Sequence, residues 1–302
     1  MLIDNGIVWL ASYPKSGNTW FRVFLTHILN AANPDSNWNQ QTIVGTGSSA
    51  RFLMNRALGF DSRLLSEDEL EQVRPEIYSW HASQPGVKYF KIHDAYCSLK
   101  NKTPIVPKEG SIGIIYFIRN PLDVVISFSH HMNCSIDEAI KMMNAPFLAL
   151  KGSATKPMSQ VRQVCSSWSS HVNSWTLNTD INVLTMRYED MHAVPLTTFS
   201  KALTFLQQDV IEETILQALE SSRFAKLQQD EQQHGFRESA APSRAFFRKG
   251  IVGDWENTLT DWQIKQIVSH HGSVMRRFGY LDEQHHPIRY HQAESTNEFT
   301  DS

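Results

Sequence analysis

Ile7-Val8-Trp9-Leu10-Ala11-Ser12, Tyr13-Pro14-Lys15-Ser16-Gly17-Asn18-Thr19 and Trp20-Phe21-Arg22-Val23-Phe24-Leu25-Thr26-His27-Ile28-Leu29 follow one another near the start of the chain. The first run is short, apolar and bounded by Pro14 and Gly17, as in a buried strand. In the third, Phe21, Phe24, Leu25 and Ile28 keep helical spacing. The middle run is therefore a tight turn from strand into helix. Such a turn aims unpaired backbone N–H groups and the positive end of a helix dipole at one point, where phosphate binds well. Lys15 adds a movable ammonium, and Ser16, Asn18 and Thr19 add side-chain donors. This is not a Walker A loop, which needs Gly-x-x-x-x-Gly-Lys-[Ser/Thr], because Lys15 precedes the glycine. Pro-Lys-Ser-Gly also suits an ordinary surface turn, so the rest of the chain has to supply the remaining parts of a site.

The totals set the outer limits. A chain of 302 residues, 41% of them hydrophobic, can bury the core of one large α/β domain or two small ones, and nothing in it demands two. A net charge of −3 and a pI near 6.5 argue against a general nucleic-acid or membrane-surface binder, yet leave room for a local basic pocket. No apolar run approaches the roughly 20 residues of a membrane span. Met1 to Asn5 carry no basic segment, so no signal peptide is expected. Cys97, Cys134 and Cys165 are odd in number and widely spaced, which fits reduced thiols in a cytoplasm.

Further along, residues 31–65 are rich in Asn, Ser and Gly and read as a lid or a long connection. Ser66 to Glu69 has capping-box spacing and predicts a helix through Val73, stopping before Pro75. Val87 to Asp94 reads as a strand with Lys91 and His93 at its polar end, where sites gather in open α/β sheets. Ser111 to Ile118 is the most continuous strand-like run, and Arg119-Asn120-Pro121-Leu122-Asp123 leads from it into a helix from Val124 to Met132. That geometry again suits an anion, with Ser127 two turns along, although Arg119 can also simply pair with Asp123. His130 and His131 lack a third ligand at sensible spacing, so no metal is assigned.

Ser135 caps a helix to Asn144, and residues 146–157 read as loop. Val161, Val164, Cys165, Trp168, Val172 and Trp175 form one core stripe over 159–177. A strand from Ile181 to Met186 leads to Tyr188, and helical patterns cover Pro195 to Leu206 and Ile211 toward Leu227. Residues 230–243 are polar, with Gly235 and Pro242. Arg248-Lys249-Gly250 suits a loop that folds over a phosphate, and equally a solvated turn. Thr260 caps a last helix to Phe278. The chain beyond Leu281 is polar and histidine-rich, which divides it into a domain over 1–281 and a disordered tail over 282–302.

Four of these pieces resemble, in order, the cytosolic-type sulfotransferase family that uses 3′-phosphoadenosine-5′-phosphosulfate (PAPS). Tyr13 to Trp20 is nearly that family's 5′-phosphosulfate loop, Tyr-Pro-Lys-Ser-Gly-Thr-Thr-Trp. Lys91-Ile92-His93 matches its Lys-x-His, Arg119 to Ser127 its 3′-phosphate motif, and Arg248 to Trp255 its Arg-Lys-Gly-x-x-Gly-Asp-Trp motif. The resemblance implies a single-domain, P-loop-like α/β fold with a central parallel sheet flanked by helices. It implies His93 as general base, with Lys15 and Lys91 on the developing charge. The PAPS contacts it implies are Lys15, Ser16, Gly17, Asn18, Thr19, Trp20, Arg119, Ser127, Tyr188, Phe224, Arg248, Lys249 and Gly250, with no metal. The implied reaction moves a sulfuryl group from PAPS to a hydroxyl or amine of a small-molecule acceptor. Asn18 stands where the family usually has Thr, so altered cofactor contacts are expected there. Asp94 beside the base hints at a polar or cationic acceptor such as a natural product. The alternatives are a P-loop-like kinase, for which neither Walker loop nor Mg²⁺ carboxylate is found, and a catalytically silent nucleotide-binding scaffold. Oligomeric state and the acceptor's identity are not encoded in these motifs.

Overall fold

Alternation along the first strand sets the layers. Ile7, Trp9 and Ala11 point into one buried cluster, while Val8 and Leu10 point into another. A strand buried on both faces belongs at the centre of a sheet with helices on each side. Residues 5–30, 44–150, 160–236, 238 and 246–290 are described in a computed structural model of the chain. The five-stranded sheet has the order β2-β3-β1-β4-β7 and is parallel throughout. Its strands are β1 (Asn5–Ser12), β2 (Thr46–Gly47), β3 (Gly86–Ile92), β4 (Ser111–Ile118) and β7 (Val183–Arg187), and β5 (Ala149–Leu150) pairs with β6 (Gln163–Val164) in a separate antiparallel ribbon.

Helices α1 (Asn18–Leu29), α8 (Pro195–Phe205) and α9 (Glu212–Ser221) cover the face of Val8 and Leu10. The other face is covered by α2 (Arg51–Leu58), α3 (Glu67–Ser83), α4 (Pro121–Met132), α5 (Ile136–Asn144), α6 (Trp168–Leu177) and α11 (Asp261–Arg277). Two further helices are α7 (Tyr188–Ala193), which directly follows β7, and α10 (Phe224–His234), whose Leu227 shares a small cluster with Val23 of α1. Trp9 shows why the sequence selects this core: its ring meets Tyr78 edge-on at 5.0 Å, and its indole N–H donates to Ser111 Oγ at 2.8 Å.

Several boundaries differ from the expectations. Helix α3 does not stop before Pro75 but runs through it to Ser83. Leu70, Pro75, Ile77, Tyr78 and Ala82 are buried along it, and that packing outweighs the backbone hydrogen bond proline cannot make. The stripe over 159–177 is not one helix; α6 starts at Trp168 behind the cap Ser167, and residues 163–164 form β6. The pattern from Ile211 toward Leu227 divides into α9 and α10 at Ser222 and Arg223. Residues 282–290 fold back onto the domain, Ile288 N donating to Tyr280 O at 3.0 Å and Tyr290 Oη to Gly279 O at 3.2 Å. Parts of the stretches read as lid, loop and polar segment, at 31–43, 151–159, 237 and 239–245, lie outside the described residues, as do tail residues 291–302.

Because the strands are parallel, β1, β3, β4 and β7 end on one edge, and Lys15, His93, Arg119 and Tyr188 follow those ends. Function in open α/β sheets gathers on that edge.

Candidate active site

The turn after β1 is built as its letters require. Lys15 has φ 70° and Gly17 φ 96°, and a Cβ on Gly17 would lie 2.6 Å from Tyr188 Cδ2. Glycine is therefore needed both for backbone sign and for room. Gly17 caps α1 without a side-chain hydrogen bond, so the first N–H groups of the helix are not used by a cap. Ser16 Oγ is buried without a hydrogen-bond partner. Burial, then the neighbouring Arg119 and Lys91, lower the Lys15 ammonium to about 8, against Glu231. Its Nζ rests 4.0 Å from the centroid of the Phe246 ring. A buried cation among cations beside unused donors is the electrostatic signature of an anion site. Asn18 plays a different part from the one expected: its amide donates back to Leu10 O at 2.8 Å and Ser12 Oγ at 3.3 Å.

A cavity of about 960 Å³ opens over this turn and takes in Lys91, His93, Arg119, Ser127, Tyr188, Phe224 and Arg248 to Gly250. The structure thus brings the expected residues of six separate segments to one place. Arg119 lies 4.2 Å from the Tyr188 ring centroid, donates to Ile251 O at 2.9 Å, and keeps Nε buried and without a partner. Its distance to Asp123 is 3.8 Å, and the Asp123 carboxylate mainly receives Gly253 N at 2.9 Å and Trp255 N at 3.0 Å. Asp123 therefore holds the 253–255 turn against α4 and also faces the Arg119 charge. Arg248 and Lys249 both reach Asp254, at 2.9 and 2.5 Å. Gly250 has φ 62°, and a Cβ there would lie 2.1 Å from Phe224 Cδ2. The Glu231 carboxylate accepts from Phe246 N at 2.6 Å and Phe247 N at 2.9 Å, tying this loop to α10.

His93 is held in one tautomer. Its Nδ1 lies 2.8 Å from Ser12 O, and a carbonyl oxygen can only accept, so Nδ1 carries the proton and Nε2 keeps its lone pair. Burial, then the Lys91 charge, lower the imidazole to about 3, so it is neutral near pH 7. The backbone behind it is fastened twice. His171 Nε2 donates to His93 O at 3.1 Å while its Nδ1 accepts from Tyr116 Oη at 2.8 Å, and Trp175 Nε1 donates to Asp94 O at 3.0 Å.

Asp94 corrects an expectation. Its carboxylate is fully buried and turned away from the cavity onto Arg74, at 2.6 and 3.1 Å, and Val164 N, at 2.9 Å. It therefore offers nothing to an acceptor, and the hint of a polar or cationic substrate drawn from it lapses. A different carboxylate lines the cavity. Glu238 receives Lys91 Nζ at 2.8 Å and both terminal nitrogens of Arg22, at 3.0 and 2.6 Å. Against the cost of burial, Lys91 and Arg22 hold its carboxyl far below the usual range. The sequence reading missed Arg22, Arg74, His171, His192 and Glu238. A basic residue on the buried stripe of α1 was the one available signal, for Arg22.

The chain thus places a strand-turn-helix anion cradle, a second cation cluster and a neutral histidine in one cavity. The sulfotransferase domain model matches residues 6–279. An amine sulfotransferase of Oryctolagus cuniculus is 26% identical over 267 residues, covering 84% of this chain and 75% of its own. A flavonol 3-sulfotransferase of Flaveria bidentis is 26% identical over 281 residues, covering 86% and 78%. Among solved structures, a mouse sulfotransferase complexed with PAP superposes with TM-score 0.58 at 23% identity, covering 91% of this chain and 86% of its own, a likeness of fold. The chain belongs to the sulfotransferase family, and its reaction is sulfuryl transfer from PAPS to a small-molecule acceptor. Among the described residues no helix is long and apolar enough to cross a membrane.

Proposed function

We propose that His93 Nε2 takes the proton from a hydroxyl or amine of the acceptor while that atom attacks sulfur in line, the bond from sulfur to the bridging oxygen breaks, and 3′-phosphoadenosine-5′-phosphate leaves with that oxygen. The single observation carrying this reading is the 2.8 Å bond from His93 Nδ1 to Ser12 O, which leaves a lone pair on Nε2 within the cavity that holds Lys15 and Lys91. General-base catalysis of this kind supplies roughly 10²- to 10⁴-fold in rate. An imidazole lowered to about 3, first by burial and then by Lys91, is a weak base, and the Lys91 part of that depression is the part a donor alters. A polyanion beside Lys91 offsets the ammonium's field, so donor binding raises the His93 pKa toward a useful value.

The residues fit the donor. Lys15, with Ser16, the backbone of Gly17 and Asn18, and Thr19, holds the 5′-phosphosulfate. Arg119, Ser127, Arg248, Lys249 and Gly250 hold the 3′-phosphate, and Trp20, Tyr188 and Phe224 enclose the base. Ser16 Oγ and Arg119 Nε are supporting observations, since buried polar atoms without partners are uncommon in native folds. Lys15 and Lys91 stabilise charge on the bridging and sulfuryl oxygens, Lys91 by exchanging Glu238 for the donor. When bound, PAPS supplies the activated sulfuryl group. A cytoplasmic setting is part of the proposal and rests on the free thiols Cys97, Cys134 and Cys165.

The test is calorimetric titration with 3′-phosphoadenosine-5′-phosphate beside ATP, on wild type, Lys15→Ala and Arg248→Ala, followed by transfer assays with labelled PAPS on His93→Ala. Binding lost in the first two variants, with turnover lost but binding kept in His93→Ala, supports the assignment. Full turnover in His93→Ala removes the base, and equal preference for ATP with Mg²⁺ returns the kinase reading.

A further inference from the structure

The cavity has a corner that the phosphate-binding motifs do not explain. His192 lies four residues after Tyr188 on α7, hence on the same side of that helix. Its ring centroid is 4.6 Å from that of Tyr188 and 4.8 Å from that of Trp20, and all three side chains line the cavity. His192 Nε2 and Trp20 Nε1 are both buried without a hydrogen-bond partner in the chain. Two such atoms in one aromatic corner are costly to bury, because neither has a partner in the chain to replace the water it would bond when exposed. Burial, then the Arg119 charge, lower the imidazole to about 4, so the ring is uncharged at neutral pH.

Resting on the nucleotide-donor reading of the cavity, we propose that His192 is a binding residue that hydrogen-bonds the edge of the donor's purine through Nε2. The corner asks for a flat aromatic group with polar atoms on its rim. A purine fits either histidine tautomer, since its ring nitrogens accept and an exocyclic amino group donates. A phosphate does not fit, because a neutral imidazole between two aromatic rings gives it no charge. His192 thus adds an edge contact to the face contacts of Trp20 and Phe224, so the site selects the base as well as its two anionic groups.

The test compares two ligands by calorimetry: adenosine 3′,5′-bisphosphate and ribose 3,5-bisphosphate, which lacks the base. His192→Phe keeps a ring against Trp20 and Tyr188 but removes the polar atom. It is expected to weaken the nucleotide roughly 5- to 30-fold and to leave the base-free ligand unchanged. His192→Gln, which offers both a donor and an acceptor, is expected to recover part of that loss and guards against a variant that folds poorly. Equal weakening of both ligands makes His192 a packing residue and overturns the proposal, as does unchanged nucleotide binding in His192→Phe. If the wild type fails to bind the nucleotide, the nucleotide-donor reading itself falls.

Discussion

Asp94→Ala is expected to cost stability and to leave acceptor recognition alone. The side chains of Arg74 and Asp94 are 1% and 0% exposed, and the carboxylate also receives Val164 N at 2.9 Å. Removing it strands a buried guanidinium and a backbone donor. Breaking one side of a buried pair costs about 3–5 kcal/mol. At about 2–4 °C per kcal/mol for chains of somewhat smaller size, the melting temperature falls by roughly 6–20 °C. Arg74→Met with Asp94→Leu is expected to regain the part of the loss that comes from the stranded guanidinium, while Val164 N stays without its acceptor. The assay is differential scanning calorimetry, with acceptor KM and kcat measured well below the melting range. A variant that melts like wild type but has a strongly altered acceptor KM would refute the reasoning and return Asp94 to the acceptor pocket.

Gly250→Ala forces an L-residue to φ 62° and drives a methyl into the Phe224 ring. With strain of about 1–2 kcal/mol from the left-handed backbone alone, nucleotide affinity should fall roughly tenfold or more. Gly59→Ala, at φ 76° with open space around it, is the control for strain and should leave binding intact. Glu238→Gln leaves Arg22 and Lys91 with a neutral partner. A charge removed about 6 Å from an anion at high effective dielectric is worth about 1 kcal/mol, so inorganic sulfate titrated directly should bind several-fold more tightly; an unchanged sulfate Kd counts against Lys91 meeting the sulfuryl group. Stability should fall as pH drops, because buried His171 and His271 are both lowered to about 3, burial being the main cause. The unfolded chain then binds more protons below the ordinary histidine pKa of about 6.5, each residue adding a slope of up to about 1.4 kcal/mol per pH unit between that value and 3. Urea midpoints that do not move between pH 7 and pH 5 contradict this.

The parts legible in the sequence are those where chemistry is local. The turn at 13–19 could be read because a strand, a positive-φ glycine and a helix start within a few residues have one common use. The edge carrying Lys91, Arg119 and Tyr188 followed from strands that end in polar residues. Helix α3 was misjudged because Pro75 is a local stop signal, while the burial of Ile77 and Tyr78 that overrides it is a tertiary fact. Asp94 was misjudged for the same reason, since adjacency to His93 says nothing about which face of the strand end the carboxylate takes, and its partner Arg74 lies 20 residues earlier. Arg22 and Glu238 stand 216 residues apart, and no spacing rule connects them.

The pairings that sequence could not reveal also explain how a near-neutral chain holds a strongly basic pocket. Asp254 accompanies Arg248 and Lys249, and Glu238 accompanies Arg22 and Lys91. Each carboxylate fixes its cations in position without a ligand and lowers the cost of burying them. On the proposed assignment, a doubly anionic nucleotide would exchange for internal carboxylates instead of neutralising bare cations, so part of its binding energy would go into that exchange. Lys15 differs, since its near neighbour is the Phe246 ring. If the donor sits as proposed, its 5′ end meets a buried ammonium that no carboxylate among the described residues pairs with directly, although the Glu231 charge acts on it from further off.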